Sequence, residues 1–171
     1  MQRPTEAEYA PYYARYVDLV PEADILAVLE PQVEEIRRLL APVSAEKEAY
    51  RYAEGKWSVR QVLGHLVDGE RIFGYRAFCF SRGEQAALPS FDESEYVAAA
   101  RSDSIPLREL VQELALVRQA NLVFLRRLDP REWAQVGTAS GKPVSVRALA
   151  WVMVGHPRHH LQILRERYGV S

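Results

Sequence analysis

Ser145-Val146-Arg147-Ala148-Leu149-Ala150-Trp151-Val152-Met153-Val154-Gly155-His156-Pro157-Arg158-His159-His160-Leu161-Gln162-Ile163-Leu164 is the stretch from which the rest of the chain is read. Ser145 is a good N-cap residue, and the apolar run from Ala148 to Val154 reads as the buried face of a C-terminal helix ending near Tyr168. Three of the four histidines follow that run within five residues. Positions i and i+4 stack on one side of a helix, so His156 and His160 can aim two imidazoles at one point. His159, three residues after His156, is the alternative second ligand; the i+4 spacing favours His160. Pro157 falls inside the helix, where it frees the carbonyl of Met153 and should bend the axis.

The fourth histidine, His65, lies in a second strongly apolar segment. Ser58 followed by Gln61 is a capping-box pattern, and the helix it starts should run to about Ser81 and stop at Gly83. His65 shares its inner face with Val62 and Ile72. Two helices far apart in the chain can thus bring three imidazoles together to hold a divalent metal. Buried neutral imidazoles need partners for their ring nitrogens, and a metal supplies them. Imidazole ligands suit zinc or nickel better than magnesium or calcium, which prefer oxygen. Three protein ligands leave room for water or a small-molecule substrate.

Asp68, one turn beyond His65, is a candidate second partner, base or further ligand, against the plainer reading of a surface charge. Glu70 should point elsewhere, as a surface or salt-bridged residue. Cys79 reads as a small buried residue rather than a nucleophile.

Two more long helices complete the pattern. One spans about Asp24 to Leu40, with Pro31 expected to kink or split it. The other runs from Ser104 or Ile105 to about Leu128. Short helices are expected at Glu93 to Ala100 and after Asp129-Pro130, and Gly137 to Pro143 reads as a loop. No stretch alternates with period two for long enough to suggest a sheet. The fold class is therefore all-α, a four-helix bundle with short extra helices. Residues 1–171 are read as a single domain, with 1–21 as an N-terminal arm and 22–171 as the helical bundle. Tyr9, Tyr12, Tyr13 and Tyr16 in the arm should cover apolar surface with their hydroxyls in water, the alternative being that they line a pocket.

A formal net charge of −1 on 171 residues carries no basic excess for a nucleic acid. No apolar run reaches the roughly 18–20 residues that span a bilayer. The start, Met1-Gln2-Arg3-Pro4-Thr5-Glu6, lacks the apolar core of a signal peptide. The lone cysteine, Cys79, suits a reducing compartment. A cytoplasmic protein with neither membrane nor nucleic-acid partner is expected.

Gly55-Lys56-Trp57-Ser58, Gly64-His65-Leu66-Val67-Asp68, Glu70-Arg71 and Tyr75-Arg76-Ala77 resemble the second helix of DinB-like proteins. Pro143-Val144-Ser145-Val146-Arg147-Ala148-Leu149-Ala150, Gly155-His156 and His159-His160-Leu161 resemble their fourth. Leu88-Pro89-Ser90-Phe91-Asp92 and Gly137-Thr138-Ala139-Ser140-Gly141 fit one branch. The likeness covers about Pro21 to Tyr168. It implies an up-down-down-up bundle of the DinB/YfiT-like kind, with a nickel or zinc ion on His65, His156 and His160. Pro157 departs from the pattern, which has an ordinary helix former there. The resemblance also implies homodimers, and relatives that join a low-molecular-weight thiol such as bacillithiol to electrophiles. The activity it points to is a metal-dependent thiol S-transferase acting on small electrophiles. Asp68 would take a proton or orient a ligand, and Arg76 would pair with the thiol cofactor's carboxylates unless it is spent in an interhelical salt bridge. A metal-dependent hydrolase and a non-catalytic metal-binding or stress-related bundle are the alternatives.

Overall fold

The computed structural model describes residues 2–171. Four long helices dominate: α2 (Ile25–Leu40), α4 (Val59–Ser81), α6 (Leu107–Leu125) and α8 (Val146–Tyr168). Between them lie α1 (Ala14–Val17), α3 (Ala45–Glu48), α5 (Glu93–Ala100) and α7 (Pro130–Ala134). Three of the four long helices start at a side-chain cap, while α6 follows Pro106 without one. Asp24 accepts from the Ala27 amide, Ser58 and Gln61 form a reciprocal capping box, and Ser145 accepts from the Ala148 amide. Past the end of α4, Gly83 takes a positive φ of 81°, and Gly169 caps α8 at φ 64°.

Around the bundle the order is α2, α6, α4, α8. Paired residues give the directions. Leu40 lies by Leu107 and Glu30 by Arg126, so α6 runs against α2. Glu70 meets Arg118 and Phe78 meets Phe124, so α4 runs with α6. The Tyr168 hydroxyl donates to the Trp57 carbonyl, placing the end of α8 at the start of α4. The topology is up-down-down-up.

Each long helix buries one apolar group toward each end of the bundle. Ile25, Leu29, Phe73, Phe80, Leu122, Leu149 and Trp151 belong to one core. Ile36, Leu63, Leu66, Leu114 and Leu164 belong to the other. A polar layer separates them, centred on Arg118. Its guanidinium donates to both Glu70 carboxylate oxygens at 2.8 Å, to Gln32 and the Leu29 carbonyl at 3.0 Å, and to the Met153 carbonyl at 2.9 Å. One side chain of α6 thus ties down α2, α4 and α8. The Met153 carbonyl is the one Pro157 leaves without its helical donor, so Arg118 repairs that loss and α8 continues unbroken. Pro31 likewise sits inside an unbroken α2 rather than splitting it. Glu70 proves salt-bridged and buried.

Two sequence expectations fail. Gly137 to Pro143 is not a plain loop: β1 (Val136–Ala139) and β2 (Lys142–Ser145) form an antiparallel hairpin. Its turn, Ser140-Gly141, holds positive φ at both residues, the conformation of a tight two-residue hairpin turn. The two strands are too short for alternation to register. The arm's tyrosines are not surface covers either. Tyr9, Tyr13 and Tyr16 are buried, and only Tyr12 stays exposed. The arm is held by ion pairs from Arg147 to Glu8 and from Arg158 to Glu22. Its backbone lies directly on α8 at Gly155, where a Cβ would collide with the Tyr16 carbonyl. Among the described residues, no helix is long and apolar enough to cross a membrane.

Candidate metal centre

His65 sits in the second turn of α4, facing α8, and His156 and His160 face it from adjacent turns of α8. One ring nitrogen from each lies within 4.8 Å of the others. The His65 and His156 Nε2 atoms are 2.8 Å apart. All three rings meet edge-on, with centroids 4.7–4.8 Å apart. His65 and His156 are only 2% and 3% exposed. His159 stays outside this group and packs against the rings of Tyr16 and His160.

Aromatic walls enclose the cluster. Trp57 lies 4.9 Å from the His65 ring, and Tyr16 and Phe73 lie 5.3 and 5.5 Å from His156. Gly69, one turn after His65, leaves the space that the His156 ring fills. These neighbours were invisible to sequence reasoning, apart from Trp57 in the family-like motif. Tyr16 is 140 residues from His156, and no local periodicity links them.

Burial governs the charge state of the cluster. It lowers the pKa of His65 to about 4 and that of His160 to about 3, His160 being pushed further by His65 and His159. His156 falls well below the usual imidazole value, first through burial and then through its histidine neighbours. All three rings are therefore neutral near pH 7, with lone pairs to give. Two converging lone pairs at 2.8 Å repel unless a proton or a cation lies between them. A single proton can serve only one pair of nitrogens, whereas a cation serves three. Ligand bonds of about 2.0–2.1 Å at tetrahedral angles separate nitrogens by about 3.3 Å, a spacing that lies between the 2.8 Å of the closest pair and the 4.8 Å within which all three fall. The donor set fits a divalent d-block ion.

Asp68 is half-buried beside the cluster's helix but outside the nitrogen group, so it is not a further ligand here. Burial raises the pKa of its carboxyl, Arg71 opposes the rise and Glu113 adds to it. Cys79 lies fourteen residues along α4 from His65, about 21 Å away along the axis, and takes no part. Next to the cluster, across Tyr16 and Phe73, opens a cavity of about 330 Å³. Arg76 lines it and is not spent in a salt bridge: its hydrogen bonds go to the Pro89 carbonyl, Ser140 Oγ and the Tyr13 hydroxyl.

Residues 29–164 match the family model described as the DinB superfamily. The chain belongs to the DinB superfamily. This DinB-superfamily protein is 26% identical over 156 residues to a Geobacillus thermodenitrificans protein named "Putative metal-dependent hydrolase", covering 84% of each chain. An Oceanobacillus iheyensis protein of similar name is 22% identical over 138 residues, which is 80% of this chain and 79% of that one. Among solved structures, YfiT from Bacillus subtilis, titled "a probable metal-dependent hydrolase with an unusual four-helix bundle topology", matches with a TM-score of 0.77 at 19% identity. That match covers 98% of this DinB-superfamily chain and 94% of YfiT. The mycothiol-dependent maleylpyruvate isomerase matches with a TM-score of 0.67 at 15% identity, over 91% of this chain and 63% of the isomerase. Both structures speak for the shared bundle.

Proposed function

We propose that the chain is a divalent-metal-dependent enzyme that joins a small thiol through its sulfur to a small electrophile, the thiol giving up its proton, with nickel or zinc held by His65, His156 and His160. The observation that carries this is the convergence of three neutral imidazoles, two buried and His160 partly so, beside a cavity with room for a substrate. When bound, such a cation lowers the pKa of a thiol or a water on its open side, making the nucleophile available near neutral pH. The chain supplies the rest. Three neutral imidazoles would hold such an ion without offsetting its charge. Trp57, Tyr16 and Phe73 limit water around the rings and fix their orientation. The Tyr16 phenol stays protonated, because burial and its contact with Tyr12 raise its pKa. Asp68, one turn past His65 on α4 and with its pKa raised by burial, is the group assigned to accept the thiol proton.

A second reading, hydrolysis with water as the nucleophile, is favoured by the names of the two sequence relatives. The test begins with protein purified without an affinity tag and analysed for metal. It is then assayed with a panel of thiols and electrophiles, and separately with esters, amides and phosphate esters. Thiol-dependent turnover that disappears in His65→Ala is the expected result. Turnover of esters without thiol would replace the first reading with the second. A metal-loaded protein inert on both panels would refute both.

A further inference from the structure

The cavity beside the cluster contains a buried cation that forms no ion pair. Arg76 is 3% exposed, yet among the described residues its hydrogen bonds reach no carboxylate. Its recorded partners are a carbonyl and two hydroxyls, all neutral, and the Tyr13 contact is long at 3.4 Å. Those three bonds leave two of the five guanidinium donors for something else. The guanidinium remains charged whatever its surroundings, and a buried cation without an anion is costly. Lys142, also on the cavity wall, adds a second positive charge; Glu93 lines the same cavity and makes no ion pair with either, its Oε1 lying 3.5 Å from the Tyr12 hydroxyl, so the lining carries one net positive charge. The remaining lining is mainly aromatic, including Tyr13, Phe73 and Phe91, and Phe91 lies 5.9 Å under the guanidinium.

We infer that this cavity binds a small carboxylate with a flat apolar body, its carboxylate on Arg76 and its other end toward the His156 side. The inference deepens the proposed function by naming the chemistry of the molecule that occupies the site, and it rests on that reading for the molecule's role. Arg76 holds the acid through charge-assisted hydrogen bonds, and the rings cover its body. A cavity of about 330 Å³ admits a body of roughly one aromatic ring with a short side chain. The carboxylate can belong to the thiol co-substrate or to the electrophile.

The test is calorimetric binding to metal-free protein, using benzoate, 3-phenylpropionate and 3-mercaptopropionate, each compared with its primary amide. At least one acid should bind tenfold or more tightly than its amide. Arg76→Gln should erase that preference, and Lys142→Ala should weaken it a few-fold without changing the melting temperature. Repeating the titrations on metal-loaded protein separates the sources. A further gain for the mercapto acid alone marks the thiol co-substrate, and no such gain assigns the site to the electrophile. If no acid binds better than its amide, or if Arg76→Gln stays folded and keeps the preference, the inference is wrong. His65→Ala should retain acid binding while losing turnover, so failure of the metal chemistry and failure of the carboxylate site give different results.

Discussion

Gly69→Ala tests the metal centre through a residue that ligates nothing. A Cβ built at Gly69 lies 2.8 Å from Cε1 and 3.0 Å from Nδ1 of His156. Carbon atoms rest at about 3.5–4.0 Å, so the ring must retreat by about 0.7 Å or more. It has little room to do so, because Tyr16 and Phe73 pack on it and it is 3% exposed. Metal sites tolerate ligand displacements of about 0.2 Å. Affinity for zinc or nickel should therefore fall by about 10- to 100-fold, the range seen when a ligand loses its orienting support. Stability should respond differently. Alanine gains about 1 kcal/mol over glycine within a helix, against an overpacking cost of about 1–3 kcal/mol. The metal-free protein should lose no more than about 2 kcal/mol. Competition with a chromophoric chelator reads the affinity, and urea unfolding in excess chelator reads the stability. Gly64→Ala is the comparison: its Cβ presses on the Ser102 side chain, whose hydroxyl must rotate aside, and on no histidine, so metal affinity should fall far less than in Gly69→Ala. Wild-type affinity in Gly69→Ala, with the protein folded, would refute the placement of His156 at the metal.

Metal-free protein should lose stability as the pH falls from about 6.5 toward 4. In that window the unfolded chain takes up protons that the buried imidazoles refuse, and His65 alone, lowered to about 4, contributes a change of about 3 kcal/mol. Unfolding midpoints at pH 5 and pH 7 in chelator check this, and equal midpoints would contradict it. Arg118→Met should cost about 3–5 kcal/mol in urea unfolding, because it strands Glu70 and uncovers the Met153 carbonyl while leaving the histidines in place. Asp68→Asn should keep metal affinity within about threefold, since its carboxylate is outside the nitrogen group, and should slow thiol-dependent turnover if it takes the proton. Gly155→Ala should push the arm off α8, visible as faster proteolysis between residues 10 and 20, because a backbone carbonyl occupies the space its methyl needs.

The four long helices, the caps at Ser58 and Ser145, and the inward turn of His65, His156 and His160 were legible in the linear chain. Helical periodicity and capping are local, so a few consecutive residues carry them. Residue order also carried the i, i+4 pair on α8. What lay beyond reach depended on contacts between distant segments. The carbonyl freed by Pro157 is rescued by Arg118 from another helix, so the expected weakness became a link holding the bundle together. The tyrosine arm looked like a surface cover until its backbone was seen resting on Gly155, with Tyr16 against His156. Arg76 looked like half of an ion pair, and only the folded chain places it in a cavity with neutral partners. A sequence specifies which face of each helix is apolar and where each helix stops. Which side chain answers a buried charge or an orphaned carbonyl is decided by packing, because those partners come together only when the helices assemble.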